Sequence, residues 1–351
     1  MLKSLQKAFK VKEVRDRLLY TFMMLVVIRI GCCLPIPGVD PSYLHDFFSN
    51  LQNSGMGFFN AITGGSFSSM SIFALSITPY ITSSIIMQLL TIAIPKLEEM
   101  QKDGEDGRKK IAEYTRYLTV GLALFESCAM AVGLGGKGLL LEDHRNIWGY
   151  LTVVAAMTAG SALLMWIGER ITDNGVGNGI SIVLLINIVS GTPQDMMTLY
   201  ERFMAGRSVA VATVSGIIVL AIIVAIVVFV LVLNDAERRI PVQYSKKMQG
   251  RRMIGGQSTY IPLKVNTANV IPVIFASSIM SMPVMIAQFF HVDYSTIGGK
   301  ILLALSSSNW FKPEAPAYSI GMLVYIVLVV LFAYFYTSIT FNPLEVANNM
   351  K

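Results

Sequence analysis

The chain has 351 residues, of which 54% are hydrophobic and 14% are charged, and its mean hydropathy is +0.58. A soluble domain carries about 25% charged residues, so this composition excludes an ordinary soluble protein and indicates an integral membrane protein with several helical spans. The net charge of +6 is too small and too dispersed to indicate nucleic-acid binding by itself. The three cysteines show neither a disulfide pattern nor metal-ligand spacing, so we expect no metal and no cofactor.

The apolar segments predict an all-α polytopic membrane protein with eight transmembrane helices. A helix needs about 20 apolar residues to cross a bilayer, and each segment is close to that length. The segments are Leu18–Leu34, Ile72–Ile94, Tyr117–Leu134, Trp148–Ile167, Ile180–Met197, Val209–Leu233, Val270–Phe290 and Tyr318–Ile339.

The distribution of basic residues predicts the orientation of these spans. With a cytoplasmic N-terminus and strict alternation, most of the 28 lysines and arginines fall in the cytoplasmic segments. The outer loops contain Lys137, Arg145, Arg202, Arg207, Lys300 and Lys312. Because cytoplasmic loops carry the excess of positive charge, this asymmetry favours an even number of spans with both ends of the chain inside.

The second apolar segment is unusually polar, and it follows two glycines, Gly64 and Gly65, and a run of serines. Hydroxyl and amide side chains in a span usually face other helices or water, because lipid offers them no hydrogen-bond partner. Two interpretations are about equally supported by this pattern. The segment is either a packed interior helix held by Ser and Thr hydrogen bonds, or a helix that lines a polar path and is entered through a glycine hinge.

The sixth and seventh segments differ from each other in the number of polar side chains. Residues 216–233 contain no polar side chain, which is typical of a helix exposed to lipid. The seventh segment contains polar residues and is broken by Pro272 and Pro283. Interrupted polar spans pair around central sites in transporters and channels, so the second and seventh spans are candidates for such a pair.

The segment 234–266 carries basic pairs between short β-prone runs, which predicts a strand-like excursion into the cytoplasm. Its length exceeds about 15 residues, which favours a functional role such as docking to an acidic surface or to ribosomal RNA. The candidate docking residues are Arg238, Arg239, Lys246, Lys247, Arg251 and Arg252.

Several stretches of the chain resemble the SecY family, the channel subunits of the bacterial Sec protein translocase. They occur in order over essentially the whole chain, and together they are highly specific although no single stretch would be. They are Ser71–Ile81, Gly104–Ile111, Gly168–Ser181, Arg238–Tyr244 and Pro262–Ser278.

The resemblance implies ten spans arranged as two inverted halves around a pore. Here the halves would be residues 1–197 and an incomplete 198–351, because the chain ends where the family's next cytoplasmic loop begins. The resemblance also implies an apolar pore ring of Ile77, Ile81, Leu184 and Ile274, with leucine where the family usually has isoleucine. A short re-entrant plug helix would comprise Gly64, Gly65, Ser66, Phe67, Ser68, Ser69, Met70 and Ser71.

The resemblance further implies a lateral gate between spans two and three and spans seven and eight. Its residues would be Thr82, Gln88, Glu126, Asn269 and Met282. The implied partners are the SecE and SecG subunits, the SecA motor ATPase, the ribosome, preproteins that bear signal sequences, and membrane lipid. The implied location is the bacterial plasma (inner) membrane, and the implied activity is passage of unfolded polypeptides without enzymatic chemistry.

A secondary transporter for a small solute is the alternative function. Coupled transport usually needs buried ionisable groups, and the predicted spans contain only Arg29, Glu126 and, near the end of the fifth, Asp195, which favours a passive conduit. An intramembrane protease is disfavoured, because the chain has no His-Glu-x-x-His motif and the serines near Gly64 have no candidate base beside them.

Overall fold

The structure is a computed structural model that describes residues 10–40, 63–242, 247–249, 252–254, 259–289, 296–306, 309–310 and 316–340. Within these ranges the chain is mostly helical. The helices are α1 (Lys12–Cys33), α2 (Thr78–Ala93), α3 (Pro95–Lys102), α4 (Glu105–Leu134), α5 (Ile147–Asn174), α6 (Gly179–Phe203), α7 (Val209–Asp235), α8 (Ile271–Phe289), α9 (Ile297–Leu305) and α10 (Ile320–Thr340). The strands are β1 (Glu237–Val242), β2 (Lys247–Gln249), β3 (Arg252–Ile254) and β4 (Thr259–Lys264).

Each predicted span overlaps a helix, namely α1, α2, α4, α5, α6, α7, α8 or α10. In the described part of the chain, four helical stretches are long and apolar enough to cross a membrane: α5, α6, α7 and the stretch Pro316–Ser338. The bent pair formed by α2 and α3 raises this number to five if the pair is one span. The chain is therefore a multi-pass membrane protein, and the count of eight spans stays a prediction.

The second span begins later than the sequence predicts. Residues 72–77 form tight turns, and the helix starts at Thr78 rather than at Ile72. Ser76 has a φ of +54°, which a right-handed helix does not allow. Pro79 then lies in the first turn of α2, where its missing N–H costs nothing and its fixed φ favours a helix start. Pro79 therefore lies at the start of α2 and does not interrupt that helix.

Residues 64–70 form successive turns rather than the short plug helix that the resemblance implies. Gly64, Gly65 and Met70 have φ angles of +65°, +81° and +40°. These left-handed conformations cannot continue a right-handed helix, and glycine adopts them without steric cost. The expectation of a helix over these residues is corrected accordingly.

The chain divides into two compact units, Met1–Gln194 with Met280–Met322, and Asp195–Ile279 with Leu323–Lys351. In the first unit, α4 packs against α2 and α5, and α1 packs against α5. This division by compactness does not test the inverted halves 1–197 and 198–351, which stay a prediction.

In the second unit, β1 and β4 form an antiparallel pair in which Arg239 lies opposite Pro262. The strands β2 and β3 form a second antiparallel pair between them in sequence. These pairs confirm the strands predicted within residues 234–266, and their cytoplasmic location stays a prediction. The helix α7 has no buried residue, as its uniformly apolar sequence predicts, and Phe275 of α8 stacks on Phe332 of α10 with ring centroids 5.1 Å apart.

Candidate functional site

Residues 64–71, which we call the plug segment, are seated in a buried apolar cluster. Phe67 is 1% exposed and Met70 has no exposed surface. They share this cluster with side chains of α4 and α5, among them Met130 and Met157. Full burial of a large apolar side chain contributes about 1.5–3 kcal/mol to stability. These two residues therefore hold the segment against the rest of the first unit.

The C-terminal end of the plug segment is also tied by backbone hydrogen bonds to the residues just after α1. The Ile36 N–H donates to the Met70 carbonyl at 3.1 Å, and the Ile72 N–H donates to the Leu34 carbonyl at 3.0 Å. These bonds form a short antiparallel bridge between Pro35 and Ser71. The C-terminal end of the plug segment is therefore bound to the residues that follow α1.

Ser68, Ser69 and Ser71 of the plug segment donate hydrogen bonds to backbone carbonyls within the segment. The hydroxyls of Ser68 and Ser69 donate to the Gly65 carbonyl at 2.8 and 3.2 Å, and the Ser71 hydroxyl donates to the Ser66 carbonyl at 3.3 Å. These hydroxyl bonds add to the backbone N–H bonds that the same two carbonyls accept from Ser69 and Ser71, at 3.2 and 3.1 Å. Their position favours a structural role over a nucleophilic one.

Three of the four predicted pore-ring residues lie in a second apolar cluster of the first unit. Ile77 is fully buried in this cluster, while Ile81 and Leu184 are partly exposed at its edge. The fourth, Ile274, is half-buried on α8 in the second unit. The structure thus brings Ile77, Ile81 and Leu184 together, and the convergence of all four residues on one axis stays a prediction.

Close packing between the start of α6 and the end of α5 positions Leu184. A Cβ atom added to Gly179 would meet the carbonyl oxygen of Gly168, and one added to Gly168 would lie 2.7 Å from the Ile180 side chain. Only glycine allows the two helices to approach this closely. The glycine-rich turn between them therefore places Leu184 beside Ile77.

The predicted lateral-gate residues lie on α2, α4 and α8 and, for Asn269, in the turn before α8. Thr82, whose hydroxyl donates to the Thr78 carbonyl at 3.1 Å, and the exposed Gln88 lie on α2, and the half-buried Glu126 lies on α4, which packs against α2. Asn269, in the second unit, has a φ of +51°, and its N–H donates to the Asn266 side chain at 3.0 Å. Met282 on α8 is 54% exposed. Their role in a gate stays a prediction.

The predicted docking residues are only partly within the described residues. Arg238 and Arg239 are exposed on β1, and the Arg239 guanidinium lies 4.7 Å from the centroid of the Tyr260 ring. The backbones of Lys247 and Arg252 lie in β2 and β3, whereas Lys246 and Arg251 lie outside the described residues. The β1–β4 pair therefore presents two adjacent arginines to solvent.

Two polar contacts in the first unit were missed by the sequence reasoning. Arg116 on α4 and Glu169 on α5 form an ion pair with a distance of 2.7 Å between Nε and Oε1. Arg29 on α1, noted only as an ionisable residue in a span, donates to the Ser190 hydroxyl on α6 at 2.9 Å. The spacing of Asn187 and Ser190 in an otherwise apolar run was the available signal, since residues three apart share one face of a helix.

Comparisons with known proteins agree with this arrangement. The SecY family profile matches residues 71–351. The protein translocase subunit SecY of Streptomyces scabiei is 45% identical over 363 residues, an alignment that covers 100% of this chain and 80% of that protein.

Solved structures show the same fold. A structure described as that of a protein conducting channel aligns with a TM-score of 0.58 and 19% identity, covering 93% of this chain and 73% of the other. Another, described by a SecY plug domain that stabilises the closed state of the translocation channel, aligns with a TM-score of 0.56 and 19% identity, covering 92% and 72%. Because the profile matches most of the chain and the Streptomyces relative matches all of it, this chain belongs to the SecY family.

Proposed function

We propose that this chain is the central protein-conducting subunit of a Sec translocase. It would pass unfolded secretory polypeptides across the bacterial plasma membrane and release membrane segments sideways into lipid. The observation that carries the proposal is the plug segment, whose residues Phe67 and Met70 are buried in the protein core. This segment is buried in one apolar cluster and is followed in sequence by Ile77 of the second cluster. Such a segment is suited to closing a channel at rest.

The apolar ring would supply the seal around a moving polypeptide. A narrow ring of Ile77, Ile81, Leu184 and Ile274 would disfavour wetting and therefore ion passage. Aliphatic side chains hold no fixed charge or hydrogen bond, so they can repack around successive residues of a substrate. The partial exposure of Ile81 and Leu184 supports this role for these two residues.

A lateral gate would admit the signal sequence. A signal sequence carries about 7–15 apolar residues, which would partition toward lipid while the hydrophilic chain enters the pore. The polar side chains of Thr82, Gln88, Glu126 and Asn269 would contribute only about 1 kcal/mol each to helix association. A ligand of modest affinity could therefore shift the gate between its closed and open states.

The energy and the remaining subunits would come from partners. We propose SecE and SecG as further subunits, with SecA and the ribosome alternating on the β1–β4 pair. Exposed Arg238 and Arg239 support contact with an anionic surface such as ribosomal RNA or an acidic protein face. A cytoplasmic N-terminus, as the distribution of basic residues predicts, would place this pair on the side where both partners are found.

The proposal is tested by reconstituting the chain with its partner subunits in lipid vesicles. We expect ATP-dependent, SecA-dependent protection of a signal-bearing preprotein from added protease. The matched control is the same preprotein without its signal sequence. Uptake of a small solute driven by a proton or sodium gradient, with no protected preprotein, would instead support the transporter alternative.

A further inference from the structure

A chain of polar side chains crosses the interior of the first unit beside the plug segment. The Arg29 guanidinium on α1 donates to the Ser190 hydroxyl at 2.9 Å, and that hydroxyl donates to the Asn187 carbonyl at 2.6 Å. The Asn187 side-chain amide donates to the Ser76 hydroxyl at 3.0 Å. Asn187 and Ser76 are both buried, so these bonds form in a low-dielectric setting where they are strong.

The N-terminal end of the plug segment rests directly on this chain. A Cβ atom added to Gly64 would lie 2.8 Å from the Asn187 carbonyl oxygen and 2.9 Å from the Ser190 hydroxyl oxygen. The Gly64 backbone is therefore in close contact with α6 at the residues that carry the polar chain. Since Gly64 also has a φ of +65°, the contact requires glycine on two independent grounds.

The other end of the polar chain holds a strained residue. Ser76 is not glycine, yet it has a φ of +54° in the turns that separate the plug segment from α2. Asn187 binds its side chain, and the Ser161 hydroxyl on α5 donates to its carbonyl at 3.2 Å. A strained conformation persists only where its surroundings hold it in place, and here two helices do so.

We propose that Arg29, Asn187 and Ser190 are positioning residues that hold the plug segment closed from both ends. Asn187 fixes Ser76 after the segment, and Ser190 together with the Asn187 backbone supports Gly64 at its start. Arg29 anchors Ser190 to α1. This inference rests on the proposed function of residues 64–71 as a channel seal, and it assigns to three residues outside that segment the task of setting how readily it opens.

One polar atom of Asn187 does not take part in this chain of hydrogen bonds. The Asn187 side-chain oxygen is buried without a hydrogen-bond partner. The bonds from Arg29 to Ser190, from Ser190 to the Asn187 carbonyl and from Asn187 to Ser76 are therefore those that hold the proposed closed arrangement. Movement of α6 relative to α1 would break the Arg29–Ser190 bond and withdraw the support of Gly64.

The test is the resting ion conductance of the assembled translocase in planar bilayers containing potassium chloride. We expect Asn187→Ala and Ser190→Ala each to raise the conductance about fivefold to tenfold, the change that loss of one buried hydrogen bond makes in an equilibrium. The matched control is Ser181→Ala, the same change at an exposed position of α6, which should leave the conductance at its original value.

A double-mutant cycle separates positioning from general weakening of the fold. Because Asn187 and Ser76 share one hydrogen bond, the pair Ser76→Ala with Asn187→Ala should conduct no more than the stronger single variant. Subunit assembly and thermal unfolding of each variant are measured alongside. If Asn187→Ala does not assemble, Ser190→Ala carries the test, because its side chain is only half-buried.

Deletion of residues 64–71 distinguishes failure of the plug function from failure of the positioning role alone. If the deletion raises conductance while Asn187→Ala and Ser190→Ala behave like Ser181→Ala, the positioning role is overturned and the plug stands. If the deletion leaves the conductance unchanged, the plug function fails and the positioning role fails with it.

Discussion

At the scale of single residues, burial rather than charge distinguishes the candidate site. The side chains of Phe67 and Met70 hold the plug segment by packing, in addition to the backbone bond from Ile36 to Met70, and Ile77 is fully buried in the second apolar cluster. Side chains that hold a seal by packing can release it without breaking an ion pair. Besides the proposed positioning residues Arg29, Asn187 and Ser190, the residues with functional consequences are apolar ones whose removal leaves a cavity, and glycines whose enlargement forces a clash.

Phe67→Ala should loosen the closed plug. Removal of a buried phenylalanine side chain costs about 3–5 kcal/mol, because contacts are lost and a cavity remains. We expect a higher resting ion conductance of the reconstituted channel and passage of preproteins with defective signal sequences. Phe125→Ala is the matched control, since Phe125 is 63% exposed on α4. Equal conductance of the two variants would show that Phe67 does not hold the seal.

Gly160→Ala should destabilise the first unit. A Cβ atom at Gly160 on α5 would meet the carbonyl oxygen of Ile72, so the helix and the turns after the plug segment would have to separate. Overpacking of this kind costs about 1–3 kcal/mol and should lower the thermal unfolding temperature in detergent. At Gly121 on α4 nothing lies within 4 Å of the added atom, so Gly121→Ala should be neutral or slightly stabilising. A lowered unfolding temperature for both variants would point to a general intolerance of alanine instead.

At the scale of elements, the sequence predicts structure that depends on local pattern and misses structure that depends on tertiary packing. The β1–β4 pair is predictable because β-prone runs flank glycines and basic pairs. The turns at residues 72–77 are not predictable, because an apolar run of that kind is equally compatible with a helix. The supports around Ser76, which come from α5 and α6, stabilise the turns there, and Pro79 favours a helix start just after them.

The candidate site shows the same division. The sequence together with the family resemblance predicts Ile81 and Leu184 as members of an apolar ring. It also predicts a plug segment that begins at two glycines and precedes α2. The Arg29–Ser190 contact joins residues 161 positions apart, so the spacing of Asn187 and Ser190 indicates a polar helix face but does not identify Arg29 as its partner. Contacts of that range depend on how α1 and α6 are brought together by the whole unit.

Charge reversal on β1 should weaken partner binding. We expect Arg238→Glu with Arg239→Glu to reduce binding of ribosomes or of SecA at low salt, with a smaller difference at high salt because ions screen the interaction. Sedimentation with vesicles over a range of salt concentrations measures this. Arg202→Glu with Arg207→Glu changes the net charge equally in the segment predicted to lie outside, and it should bind as the original chain does. Original affinity of the β1 variant at low salt would exclude the pair as a docking surface.

At the scale of the whole molecule, the chain has an exposed apolar helix in its second unit and an apolar interior with buried hydroxyls in its first unit. The helix α7 has no buried residue, whereas α2 and the residues before it place hydroxyls inside the first unit. A wall that tolerates lipid and an interior that offers hydrogen bonds are the two surfaces that a channel for polypeptides needs. We propose that apolar side chains from several helices meet around the translocating chain and form a deformable seal.

Site-specific photo-crosslinking to a translocation intermediate tests this claim most directly. A photoreactive amino acid is placed in turn at Ile81, Leu184 and Ile274, and at Leu220 on the exposed α7 as control, and a preprotein is stalled midway through the assembled translocase. We expect crosslinks to the stalled preprotein from all three ring positions and crosslinks only to lipid or neighbouring subunits from Leu220. Crosslinks only to lipid from Ile81, Leu184 and Ile274, or equal crosslinking of the preprotein from Leu220, would contradict a shared apolar seal.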